Sequence, residues 1–149
     1  MTTAAEGLPD QLAEIVDDFT AMSVPDRLQL LVEFGQELPA LPERYAAHLE
    51  LLEAVQECQS PVYLLAEVVV SDDEPVVRLH ISAPPQAPTT RGFAGVLHAA
   101  LDGLPAAQVL AVPIDVTDQL GLGEAVSPLR LRGMAAMLGR IQRQVREKS

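Results

Sequence analysis

Val62-Tyr63-Leu64-Leu65-Ala66-Glu67-Val68-Val69-Val70-Ser71-Asp72-Asp73-Glu74-Pro75-Val76-Val77-Arg78-Leu79-His80-Ile81-Ser82 is the stretch that decides the fold. Its first half, Val62 to Val70, is rich in β-branched residues, which suit a pleated strand. In its second half Val77, Leu79 and Ile81 alternate with Arg78, His80 and Ser82, the period of a strand with one buried face. Asp72-Asp73-Glu74-Pro75 reads as the turn between them. Two strands joined by so short a connection must be antiparallel, because a parallel pair needs a crossover.

Upstream, Gln56-Glu57-Cys58-Gln59-Ser60-Pro61 is polar or small and runs into a proline, so it reads as a loop with Ser60 biased towards extended geometry. Residues 43–54 admit one or two more amphipathic turns built on Tyr45, His48, Leu49, Leu52 and Val55, and the pattern does not decide between them. Before them Ser23 reads as an N-cap, Pro25 lies in the first turn and Asp26 sits at the capping-box position. Leu28, Leu31, Val32 and Gly35 to Leu38 continue that helix until Pro39 and Pro42 stop it. An earlier helix carries Leu12, Ile15, Val16 and Phe19 on one stripe, and residues 1–8, small and polar, are expected to fray.

Downstream, Ala83-Pro84-Pro85-Gln86-Ala87-Pro88 is rigid loop. Thr89 or Thr90 is expected to cap a helix carrying Phe93, Val96, Leu97, Ala100 and Leu101 and closed by Gly103. Short turns are expected over 105–110 and 115–120. The last helix is the clearest: Ser127 caps it, Pro128 opens it, and Met134, Met137, Leu138, Ile141 and Val145 share one face, a spacing that reads as core. Helices, then an antiparallel sheet, then helices define an α+β fold. We expect a small sheet of two or three strands packed against the N- and C-terminal helices, in one domain over residues 1–149.

Composition supports a packed core, with 48% hydrophobic residues, no Trp, two Tyr and three Phe, so the interior must be aliphatic. Ten basic against 21 acidic side chains give a net charge of −11, which opposes binding to nucleic acid and to anionic membranes. The tail departs from this balance: Arg130, Arg132, Arg140, Arg143, Arg146 and Lys148 stand there against Glu147, as an interaction face or a solvated one. A single cysteine forms no internal disulfide and suits a reducing compartment. With no basic n-region before an apolar run and no long apolar segment, the expected location is the cytoplasm.

Few residues offer chemistry. Cys58 lies in a polar loop, where reactive groups gather on rigid scaffolds, although an ordinary free cysteine fits the same pattern. His48, His80 and His98 show no metal-ligand spacing, so no metal site is expected, and a pairing of His80 or His98 with Cys58 is left open. Gly121-Leu122-Gly123-Glu124 follows no strand and lacks the lysine of a phosphate loop. No serine stands in a nucleophile elbow.

Four blocks, in order, add a resemblance. Glu33-Phe34-Gly35-Gln36-Glu37-Leu38-Pro39 is similar to the E-x-G-Q-x-L-P segment of the SufE family. Val55 to Tyr63 resembles its V-x-G-C-Q-S-x-V-W signature, Arg91-Gly92-Phe93 to Leu97 its basic-Gly-Leu helix start, and Leu122 to Met137, through Val126 to Met134, its L-S-P-S-R-x-x-G-L closing helix. The resemblance implies a SufE/IscU-like fold and a sulfur carrier without a cofactor of its own. On that resemblance it would not itself be an enzyme. Its partners would be a SufS-like cysteine desulfurase using pyridoxal phosphate and an iron–sulfur scaffold, with Cys58 taking the persulfide sulfur and stimulating the desulfurase. Gln59 and Ser60 would shape the loop, and Arg130 would pair with Glu57 or the thiolate, or touch the partner. The family's Gly is Glu57 here, a carboxylate that should raise the thiol pKa unless a cation offsets it, and its loss should stiffen the loop. The family's Trp is Tyr63, its acidic stretch is replaced by Pro84 to Pro88, and its second Ser is Leu129. Two other readings stand beside the carrier: a regulatory binding module of a desulfurase that carries no sulfur, and an interaction domain with an incidental cysteine.

Overall fold

A computed structural model describes residues 8–149. Helix α1, Asp10–Thr20, buries the expected stripe Leu12, Ile15, Val16 and Phe19. Helix α2, Val24–Gln36, follows, with Ser23 at the N-cap position and Pro25 in the first turn, although the Ser23 side chain makes no capping bond. A single turn, α3 (Glu43–Ala46), a 3₁₀ turn at Leu49–Leu51 and a two-residue strand, β1 (Glu53–Ala54), occupy the stretch the periodicity left undecided. A 3₁₀ turn at Gln56–Cys58 then leads into β2 (Tyr63–Ser71) and β3 (Glu74–Ser82). The fold is α+β. Leu8 packs against the core, so the fraying expected of residues 1–8 does not reach it; residues 1–7 lie outside the described residues.

The sheet has the order β1-β2-β3, antiparallel throughout. Ser71 pairs with Glu74, so the hairpin loop is Asp72-Asp73 alone, both at positive φ (51° and 65°). That is the mirror-image turn whose twist matches the strands, and aspartate is among the few side chains that enter it readily. Glu74 and Pro75, expected in the turn, therefore belong to β3. Leu64 and Ala66 on β2 and Val77, Leu79 and Ile81 on β3 are buried on one face.

Helix α4, Pro88–Leu101, packs on β3 and buries Phe93, Val96, Leu97, Ala100 and Leu101. Pro88 opens it, with Ala87 at the N-cap, so neither Thr89 nor Thr90 caps it and Thr90 is buried instead. A missing N–H and a preset φ fit proline to that first position. Gly103 follows the helix at φ +86°, as its closing role requires. Short helices α5 (Ala106–Ala111) and α6 (Val116–Gln119) lead to a 3₁₀ turn at Leu122–Glu124, where the Gly121 carbonyl accepts a bond from Arg27. Helix α7, Pro128–Lys148, is capped by Ser127 and buries Met134, Met137, Leu138, Ile141 and Val145.

Two devices hold the helices in place. At the crossing of α2 and α4, a Cβ on Gly92 would stand 2.5 Å from the Leu31 carbonyl oxygen and one on Gly95 2.1 Å from that of Phe34. Arg91 then donates to the carbonyls of Gly35 and Ala83. Helix α7 is tied to the free edge of β2: Gln144 accepts from the Ala66 N–H at 2.7 Å, and Lys148 donates to the Ala66 carbonyl. A strand edge occupied by side chains is closed to a further strand.

Candidate functional site

Cys58 ends the 3₁₀ turn between β1 and β2. The turn is pinned at its base, where Val55 N–H donates to the Val62 carbonyl at 2.9 Å and both side chains are buried. Between those anchors Gln56, Glu57 and Gln59 are exposed. Gln59 closes the turn in the left-handed region (φ 57°, ψ 12°), a conformation that costs a non-glycine residue about 1–2 kcal/mol. Glu57 is not among the residues at positive φ, so carboxylate can stand where the family pattern has glycine without backbone strain.

The turn rests on α7. Cys58 Sγ donates to the Gly133 carbonyl at 3.6 Å and is half-buried. Gly133 makes the approach possible: a Cβ there would lie 3.2 Å from the sulfur. Burial pushes the thiol up to about 11, Glu57 adds to the rise, and Arg140 opposes it.

Glu57 is held by Arg140, one guanidinium nitrogen 2.9 Å from Oε1 and the other donating to Oε2 at 3.0 Å. That hydrogen bond is the main reason the Glu57 carboxyl lies below its ordinary value. The same arginine brings Nε to 2.9 Å from Glu53 Oε2, an electrostatic contact in which the N–H is not aligned for a hydrogen bond. Arg143 pairs with Glu53 and, at 2.8 Å, with Glu147, and Gln144 donates to Glu53 at 3.0 Å. Burial raises the Glu53 carboxyl, but Arg143, Gln144 and Arg140 more than reverse it and leave it lowered.

Of the residues singled out in the sequence, Cys58, Glu57, Gln59 and Ser60 share this turn. Arg130 does not pair with Glu57. Its side chain is exposed and in no ion pair among the described residues, while its backbone N–H donates to Ser127 Oγ. The arginine that takes the place expected of Arg130 is Arg140, which sequence reasoning passed over as one of a basic tail. Arg140 lies seven residues beyond Gly133, two helical turns, on the face beneath the turn, but nothing in the sequence marks Gly133 as the contact point.

No histidine bonds to Cys58. His80 lies 2.5 Å from Glu67, which also accepts from Tyr45 at 2.9 Å, and His98 lies 3.9 Å from Asp102. His80 and His98 line a separate cleft of about 560 Å³ with Arg44, Arg78 and Asp102. Among the described residues no cluster of His, Cys, Asp and Glu could hold a metal ion, and no helix is long and apolar enough to cross a membrane.

Residues 13–145 match the family model described as "SufE: Fe-S metabolism associated domain". The chain belongs to the SufE family. An uncharacterised SufE-like protein of Mycobacterium tuberculosis is 54% identical over 145 residues, covering 97% of this SufE chain and 98% of the relative. The sulfur acceptor protein CsdE of Escherichia coli is 28% identical over 113 residues, 75% of this chain and 71% of CsdE. The solution structure of a hypothetical protein from Thermus thermophilus superposes with a TM-score of 0.79 at 36% identity, covering 95% of this SufE chain and 97% of that one.

Proposed function

We propose that this chain accepts sulfur on Cys58 from a pyridoxal-phosphate-dependent cysteine desulfurase, holds it as a persulfide and passes it to an iron–sulfur scaffold. It stimulates the desulfurase by emptying it, and acts as a carrier rather than an enzyme. The observation that carries this reading is the placement of the one thiol in the chain on a strained turn, flanked by exposed Glu57 and Gln59, that rests on Gly133. Membership of the SufE family and similarity to a protein named as a sulfur acceptor support it.

The step balances without an oxidant. The Cys58 thiolate attacks the outer sulfur of the desulfurase persulfide, a new S–S bond forms on Cys58, and the old one breaks. Its electron pair stays with the desulfurase cysteine, which leaves as thiolate and takes up the proton Cys58 lost. One nucleophile suffices, and no second cysteine is needed. The thiol must become a thiolate and reach another protein's site, so docking has to lift the turn from α7 and return the sulfur to water-like surroundings. Until then a protonated, half-buried sulfur resists oxidation, which follows thiolate character and exposure. A single unpaired thiol suits a reducing, cytoplasmic setting.

Substituting Cys58→Ser tests the reading. The variant is expected to bind a cognate desulfurase as the parent does, to accept no sulfur and to leave the desulfurase at its unstimulated rate. Stimulation that survives Cys58→Ser would replace the carrier with a regulatory binding module.

A further inference from the structure

We infer that Arg140 is a positioning residue for sulfur transfer: through its two-pronged pair with Glu57 it holds the Cys58 turn against α7 and counters the carboxylate charge beside the sulfur. This rests on Cys58 being the sulfur acceptor. Three observations converge on it.

The first is how little else binds the tip of the turn. Between the buried anchors Val55 and Val62, it meets α7 at the weak S–H bond from Cys58 to Gly133 and at the Glu57–Arg140 pair. The second is that Arg140 is itself fixed. Its Nε faces Glu53 on β1, and Glu53 is gripped in turn by Arg143 and Gln144, so the guanidinium is aimed before Glu57 reaches it. Planar guanidinium and carboxylate suit a forked pair of this kind, which fixes direction as well as distance.

The third is charge. The groups around the turn are Glu53 on β1, Glu57 within it, and Arg140, Arg143 and Glu147 on α7, with exposed Arg130 one helical turn before Gly133. Of these, Glu57 and Arg140 act on the sulfur, in opposite senses. A carboxylate beside an attacking thiolate is a handicap that a glycine would not impose. Arg140 makes it tolerable, and turns it into the handle by which the loop is held. A desulfurase that draws the turn outward has to part Glu57 from Arg140. Arg140 then keeps Glu53 and loses Glu57 as its partner.

The test uses the free chain. Amide hydrogen exchange of residues 56–61 reads the hold, and the pH profile of Cys58 alkylation by iodoacetamide reads the charge. Glu57 is exposed, so Glu57→Gln leaves the core untouched. It is expected to speed exchange in the turn about threefold, the scale of one surface ion pair. Arg140→Gln should speed exchange similarly, and the double variant should go no further than either single, because both remove one interaction. Loosening the turn speeds alkylation at fixed pH in both variants, but Glu57→Gln also removes the negative charge beside the sulfur and Arg140→Gln the positive one, so Glu57→Gln should alkylate about tenfold faster than Arg140→Gln. A Glu57→Gln chain whose turn exchanges at the parent rate, or whose alkylation profile coincides with the parent's, overturns the proposal. Neither readout involves a desulfurase, so the hold and the charge are tested apart from the acceptor reading on which the proposal rests, and a failed sulfur-transfer assay overturns that reading instead.

Discussion

Sulfur transfer is done by a thiolate, yet in the free chain the Cys58 thiol rises from 9.0 to about 11, chiefly by burial against α7, then through Glu57, with Arg140 opposing. That rise cuts the thiolate fraction at neutral pH about a hundredfold. Alkylation of Cys58 at pH 7.5 should therefore be about a hundredfold faster in denaturant than in the folded chain, with the rate followed by intact mass. Equal rates would mean that the turn stands open in solution. The effect of Glu57 could be read from the sequence in its direction, because the two residues are neighbours. The larger effect could not, since burial comes from Gly133, 75 positions away. Arg140 was hidden for the same reason: its partner lies 83 positions off, and a run of basic residues gives no hint which one points inward.

At the scale of elements, local pattern was enough for α1, α7 and the hairpin, whose buried stripes and alternation depend only on neighbours a few residues apart. Strand β1 escaped notice because two residues carry no period; it exists through pairing with Leu64 and Tyr63. The start of α4 was misplaced because proline at the first position outweighed two capping threonines. The motifs Gly35-Gln36 and Arg91-Gly92 gained a structural meaning that the sequence did not give them, since they form the crossing of α2 and α4. This yields opposite expectations for the same substitution. Gly95→Ala should destabilise by about 3 kcal/mol, since its Cβ would enter the Phe34 carbonyl at 2.1 Å. Gly139→Ala, whose Cβ would meet only Ile114 at 4.0 Å, should stabilise by about 0.5–1 kcal/mol through helix propensity. Urea unfolding measures both, and a neutral Gly95→Ala would contradict the close crossing.

For the whole molecule, the net charge of −11 coexists with internal use of the basic tail. Arg140 and Arg143 serve Glu53 and Glu57, and Lys148 caps the edge of β2, which leaves Arg130, Arg132 and Arg146 in no ion pair among the described residues. Glu53, Glu57 and Glu67 are all held below the ordinary carboxylate value of 4.5; for Glu67, burial acts upward, but His80, Tyr45 and Arg44 outweigh it. Groups with depressed pKa bind fewer protons folded than unfolded, so the stability they give is present above 4.5 and is lost as the pH falls through their lowered values. The thermal midpoint should drop below pH 4.5, and Glu53→Gln should flatten that drop; an unchanged slope would show that Glu53 contributes nothing. The central claim concerns the molecule with its partner. Its most direct measurement is intact-protein mass spectrometry after incubation with a cognate cysteine desulfurase and free cysteine. The account predicts a gain of one sulfur atom, mapped to Cys58 and removed by reductant. A chain that stimulates the desulfurase yet gains no sulfur would contradict it.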